Sequence, residues 1–96
     1  MLVLITYDVN TENKLGRKRL SEVAKTCEKY GQRVQNSVFE CRIDESQFVV
    51  IKNILVSMID KDKDSLRFYK LGNNYSNKVL HFGSKREFNV DEPMIL

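Results

Sequence analysis

The 96-residue sequence predicts an α+β domain in which two helices lie on one face of an antiparallel sheet. Three observations carry this. The chain opens on an apolar, β-branched run, Met1-Leu2-Val3-Leu4-Ile5-Thr6-Tyr7, closed by Asp8. Two later segments repeat apolar residues at spacings of three and four, the helical period. Around them lie short segments in which apolar and polar residues alternate, as strands with one covered face do.

Residues 1–8 read as a strand buried on both faces, because the run is almost continuously apolar. Residues 9–13 form a polar loop in which Thr11 or Asn13 caps the first helix. That helix spans 14–30 on the stripe Leu20, Val23, Ala24, Cys27 and Tyr30, and Gly31 is its expected C-terminal cap. Lys14, Lys18, Lys25 and Lys29 share its other side. Residues 32–43 read as two strands around Asn36-Ser37, with Phe39, Cys41 and Ile43 on one face and Val38, Glu40 and Arg42 on the other. Residues 44–46 start a second helix, whose stripe is Phe48, Ile51, Leu55, Met58 and Ile59. A charged turn at 60–64 precedes a strand at 65–71, a Gly/Asn loop at 72–77 and a further strand at 78–83. The order β-α-β-β-α-β with an additional C-terminal strand is the ferredoxin-like arrangement. We divide the chain into a domain at 1–84 and a tail at 85–96 that packs on a dimer partner. Two helices cannot cover both faces of such a sheet, so its open face predicts a two-fold homodimer.

Composition narrows the function classes. No apolar run approaches the ~20 residues that span a bilayer. The opening run lacks a basic region before it and is interrupted by Asp8, so it does not read as a signal peptide. A cytoplasmic protein without a membrane partner is expected. Cys27 and Cys41 form no CxxC pair, and His81 alone cannot complete a zinc site with them; all three read as structural. Gly16, Gly31, Gly72 and Gly83 stand apart, which excludes a Gly-rich phosphate loop. Charge is uneven: residues 14–42 hold eight basic residues against three acidic, whereas 44–64 hold five acidic against three basic. A basic half-surface favours a nucleic-acid partner, although a solvated helix face accounts for the same charges.

Asp8 is the candidate for chemistry. A carboxylate at the end of a rigid strand leaves its oxygens free for a cation, and the alternative is an Asx turn into Val9-Asn10. Lys14, Arg17, Lys18 and Arg19 crowd the start of the first helix, where positive charge opposes the helix dipole and does not help the helix form. Such a cluster suits a polyanion. An acid beside it suggests metal-assisted phosphate chemistry.

Leu2-Val3-Leu4-Ile5-Thr6-Tyr7-Asp8-Val9, the block Tyr30-Gly31-Gln32-Arg33-Val34-Gln35-Asn36-Ser37-Val38-Phe39-Glu40-Cys41, Ser65-Leu66-Arg67-Phe68-Tyr69 and Leu71-Gly72 together resemble the small CRISPR-associated Cas2 proteins. The resemblance runs over nearly the whole chain. It implies a ferredoxin-like homodimer that joins the CRISPR integrase in acquiring spacer DNA. It also implies metal-dependent endonuclease activity on duplex DNA or single-stranded RNA, with magnesium, or else manganese, as cofactor. Asp8 matches the family's metal-binding and catalytic acid. Arg17, Arg19 and Arg33 match positions linked to the site and join Lys14 and Lys18 as nucleic-acid-binding candidates. Tyr7, Ser37 and Phe39 match supporting positions, although as aromatics Tyr7 and Phe39 read more simply as core or interface. One chain supplies a single carboxylate, so two copies of Asp8 would meet at the dimer axis, with hinges at residues 9–10 or 72–74 if they start apart. Two other readings stand beside the nuclease: a non-catalytic dimeric adaptor that holds spacer DNA for the integrase, and a toxin-like RNA nuclease of the same fold.

Overall fold

The computed structural model describes residues 1–83. Among them are β1 (Leu2–Asp8), α1 (Lys14–Glu28), β2 (Gly31–Gln35), β3 (Val38–Arg42), α2 (Glu45–Met58) and β4 (Ser65–Gly72). The strands form one antiparallel sheet in the order β2-β3-β1-β4. Both helices contribute to one core, so the α+β ferredoxin-like arrangement expected from sequence is the architecture found. No helix among these residues is long and apolar enough to cross a membrane.

β1 is central, paired with β3 on one side and β4 on the other. Its side chains alternate, as the pleat requires. Val3, Ile5 and Tyr7 are fully buried in the core with Val23, Ala24 and Cys27 of α1, Ile51 and Leu55 of α2, and Phe39 and Cys41 of β3. Leu4 and Thr6 are half-buried on the other face, and Asp8 is exposed. The expectation of burial on both faces holds at Leu2, which is 3% exposed on the side of Leu4, and gives way toward Asp8, because the helices cover only one side. Cys27 and Cys41 are buried free thiols, as expected.

Asn13 caps α1, its side-chain oxygen accepting the Leu15 N–H at 2.7 Å. Asp44 caps α2 in a reciprocal capping box with Gln47. α1 ends at Glu28, two residues short of the expected boundary, and Gly31 is the first residue of β2 rather than a left-handed cap. The reason is steric. A Cβ at Gly31 would lie 2.0 Å from the Glu40 carbonyl oxygen and 2.6 Å from the Cys41 Cα, so only glycine lets the chain leave α1 and pair at once with β3. Gly16 has a similar role: its Cβ would lie 2.0 Å from the Asn10 carbonyl oxygen, where the β1–α1 loop crosses the helix. That contact packs one of the two expected hinges.

The expected strand at 78–83 is a correction. Residues 78–83 have no ladder partner among the described residues. A turn in which the Lys78 N–H donates to the Tyr75 carbonyl at 2.9 Å redirects the chain after β4. Leu80 and Phe82 are left 70% and 85% exposed. Alternation alone suggested a strand, but a strand needs a neighbour to bond to. His81 is half-buried beside the half-buried Glu40, whose carboxyl is pushed up by burial. The tail at 85–96 lies outside the described residues.

Gly31→Ala should cost about 1–3 kcal/mol through backbone displacement at the α1–β2 junction. Urea unfolding followed by circular dichroism should show a lowered midpoint, whereas Gly72→Ala should act through its positive φ of 81° and not through a clash.

Candidate active site

The pleat sends Tyr7 and Asp8 to opposite faces of the sheet, and each belongs to a separate assembly. On the open face Asp8 stands directly across from Ser65. Thr6, Tyr7, Asp8, Ser37, Ser65 and Arg67 line a depression of about 280 Å³ there. Ser37 is fixed by its carbonyl, which accepts the Tyr7 N–H at 2.9 Å and ties the β2–β3 turn to β1. The Arg67 Nη1 donates to the Tyr69 hydroxyl at 3.0 Å.

On the helix face the centre is Asp64, whose side chain is fully buried. It accepts two hydrogen bonds from Arg19, Nε at 2.8 Å and Nη2 at 3.1 Å, one from the Asp60 N–H at 3.0 Å, and one from the Tyr7 hydroxyl. Burial by itself raises the Asp64 pKa, but the bonds from Arg19, Tyr7 and Asp60 outweigh it and hold the carboxyl below its usual range. Burial, followed by the bond to Asp64, pushes the Tyr7 phenol up to about 12. Tyr7 is therefore a neutral hydrogen-bond donor at physiological pH and not a base.

The expected site residues divide accordingly. Asp8 and Ser37 share the open-face depression, with the Tyr7 backbone at its wall. Arg19 is committed to Asp64 and is not a free phosphate clamp. Arg17 closes the β1–α1 loop by donating to the carbonyls of Thr11 at 3.0 Å and Glu12 at 3.3 Å. Arg33 donates to the Asn36 carbonyl at 2.8 Å and lies 5.7 Å from the centre of the Phe39 ring. It pairs with Phe39 in the ladder and so lies on the face away from Asp8. Phe39 is wholly core. Lys14 and Lys18 are exposed on α1 and do not line the Asp8 depression. Sequence reasoning missed Thr6, Ser65, Arg67 and Asp64. The alternation of β4, with Ser65, Arg67 and Tyr69 facing away from Leu66 and Phe68, was the signal available for two of them.

For a metal, Asp8 offers one hard oxygen donor on a rigid strand. Among the described residues no group of three or more His, Cys, Asp or Glu side chains is placed to hold an ion. Magnesium tolerates this, since it commonly takes one or two carboxylates and keeps water and substrate phosphate as its other ligands. Asp8 fits that pattern as a partial site.

The described residues define a class: two helices on a four-stranded antiparallel sheet whose open face carries an acid, hydroxyls and an arginine. The chain matches the family model of CRISPR associated protein Cas2 over residues 1–79. It is 58% identical over 95 residues to the CRISPR-associated endonuclease Cas2 of Halalkalibacterium halodurans, with 99% of each chain covered. It is 53% identical over 96 residues to the CRISPR-associated endoribonuclease Cas2 of Nitratidesulfovibrio vulgaris, covering 100% of this chain and 94% of the relative. The crystal structure of Streptococcus pyogenes Cas2 at pH 6.5 matches with a TM-score of 0.80 at 58% identity, over 86% of this chain and 100% of that one. The chain belongs to the CRISPR-associated Cas2 family.

The helix-face assembly makes a pH prediction. Asp64 has a lowered folded pKa, so its contribution is complete above the unfolded value of about 4 and is lost as pH falls below that. Tyr7 has a raised folded pKa, so its contribution is complete below about 10 and is lost as pH rises toward about 12. Urea midpoints should therefore fall at both extremes, and Tyr7→Phe should lessen the alkaline decline between pH 10 and 12 while keeping the acidic one; the buried Cys27 thiol, also pushed up, keeps part of the alkaline decline.

Proposed function

We propose that this protein is a magnesium-dependent endonuclease that hydrolyses nucleic-acid phosphodiester bonds, works as a homodimer in the cytoplasm, and serves CRISPR spacer acquisition with the integrase. The observation that carries this is the placement of Asp8, exposed at the end of the central strand within a depression lined by Thr6, Ser37, Ser65 and Arg67. Bound at Asp8, magnesium would supply polarisation of a phosphoryl oxygen and a lowered pKa for attacking water. The chain's own part is to orient. β1 is held from both sides, so the Asp8 oxygens stay directed at the open face, and the neighbouring hydroxyls can donate to substrate oxygens. One relative is named an endonuclease and the other an endoribonuclease, which supports phosphodiester cleavage and leaves the choice between duplex DNA and single-stranded RNA to the cleavage assay.

A single Asp8 makes half of a two-carboxylate site. The half-buried Leu4, Thr6 and Val38 on the open face, with the exposed Leu80 and Phe82, supply apolar surface for a second copy. Light scattering should give twice the 11.3 kDa chain mass. A monomer at micromolar concentration would remove the two-Asp8 arrangement.

The adaptor reading is favoured by a separate observation: Lys14, Lys18 and Lys25 of α1 and its C-cap Lys29 are all exposed, and none lines the Asp8 depression. Such a ridge can hold duplex DNA without cutting it. The deciding experiment is cleavage of duplex DNA and of single-stranded RNA by wild type and Asp8→Asn, with magnesium and with chelator. Asp8→Asn should lose about 100-fold or more in rate on one substrate, and chelator should do the same to wild type. Equal cutting by the variant, or none by wild type, leaves the adaptor role.

A further inference from the structure

We propose that Arg67, and not the basic cluster of α1, is the residue that grips the substrate's phosphodiester group beside Asp8. This rests on the nuclease reading and names a binding group within its site. Asp8 faces the open side of the sheet, so whatever meets a phosphate together with it must lie on that side. β1 and β4 pair with Ser65 across from Asp8 and Arg67 across from Thr6. Partners in an antiparallel ladder share a face. Arg67 therefore stands on the face of Asp8, two residues or about 7 Å along the strand, and its side chain lines the same depression.

The other arginines are placed elsewhere. Arg19 is bound to Asp64 on the opposite face, Arg17 closes a loop, and Arg33 braces the β2–β3 turn. Arg42 does share the face of Asp8, but it pairs with Leu2 at the other end of β1, about 20 Å away, and lies 5.8 Å from the Tyr75 ring centre. Arg67 is exposed and has no carboxylate partner among the described residues. Among the described residues its hydrogen bond goes to the Tyr69 hydroxyl, an acceptor that orients the guanidinium and carries no carboxylate to pair with it. Most of its N–H fork stays available for two phosphoryl oxygens, the geometry that guanidinium matches best. Thr6, Ser37 and Ser65 supply further donors around the same space. The α1 lysines do not line this depression and act as a diffuse attractant.

The test is binding of labelled single-stranded RNA and labelled duplex DNA by full-length protein, read by fluorescence anisotropy in chelator across a salt series so that nothing is cut. Arg67→Gln should raise Kd about 10- to 100-fold for the substrate that wild type cleaves, and should lower the salt slope by about one. Arg67→Lys should keep the slope and recover only part of the affinity. Molar mass by light scattering is read for both variants. Wild-type Kd and slope in Arg67→Gln overturn the proposal, as does loss of binding in both variants together with a changed mass, which assigns Arg67 to self-association. Asp8→Asn, assayed alongside with magnesium, separates the two readings. If it cuts normally the nuclease reading fails whatever Arg67 does, and if it is inactive while Arg67→Gln binds normally, only the role of Arg67 falls.

Discussion

The buried carboxylate of Asp64 fixes the end of the molecule from which Asp8 emerges. One side chain receives a donor from β1 (Tyr7), two from α1 (Arg19) and one from the turn before β4 (Asp60). Burying a charge is costly unless it is paired and its lone pairs are filled, and here four hydrogen bonds meet that condition. Three elements distant in sequence are thereby held in one geometry. Asp8 follows Tyr7 directly, so the clamp on one face sets the backbone from which the acid on the other face emerges. The residues that look most catalytic by type, an arginine and a tyrosine beside an acid, are the frame.

The second constraint is the one-sided core. Two helices cover a single face of the sheet, so the central strands β1 and β3 alternate between a side packed under the helices and a side turned away from them. On β1 this sorts Val3, Ile5 and Tyr7 from Leu4, Thr6 and Asp8. A slip of one residue would bury the Asp8 carboxylate and expose the tyrosine, an exchange too costly to compete. The glycines at 16 and 31 protect this register from the ends, because each lets the chain enter or leave α1 at a distance that no side chain permits.

Much of this was legible in the sequence, and the limits have physical causes. Strand and helix periods located all six elements, and the start of the second helix was visible at residues 44–46. Asp8 was legible because it interrupts an apolar run. The ion pair between Arg19 and Asp64 was not, since its partners are 45 residues apart and no local pattern reports which charge meets which. Gly31 looked like a helix cap because composition cannot distinguish a glycine needed for its φ from one needed for its missing Cβ. The segment at 78–83 alternates as a strand does, but whether an alternating segment pairs depends on an edge elsewhere. The tyrosine and phenylalanine of the expected site proved to be core, in keeping with the large apolar area each buries.

The distribution of positive charge follows from the same two constraints. Arginines donate in fixed planar directions and are used where the fold must be held, at the β1–α1 loop, the β2–β3 turn and the Asp64 clamp. Lysines carry hydrated point charges on flexible stems and lie along the outer side of α1, where they raise the local potential without defining a contact. Exposed charges act over about a Debye length of 8–10 Å and are weakened by salt, so the lysine ridge can draw a polyanion toward the domain but cannot align a phosphate with Asp8. Alignment needs a donor on the open face that lines the same depression as the acid. Among the described residues the sheet places one arginine there, Arg67, and leaves it without an internal carboxylate partner.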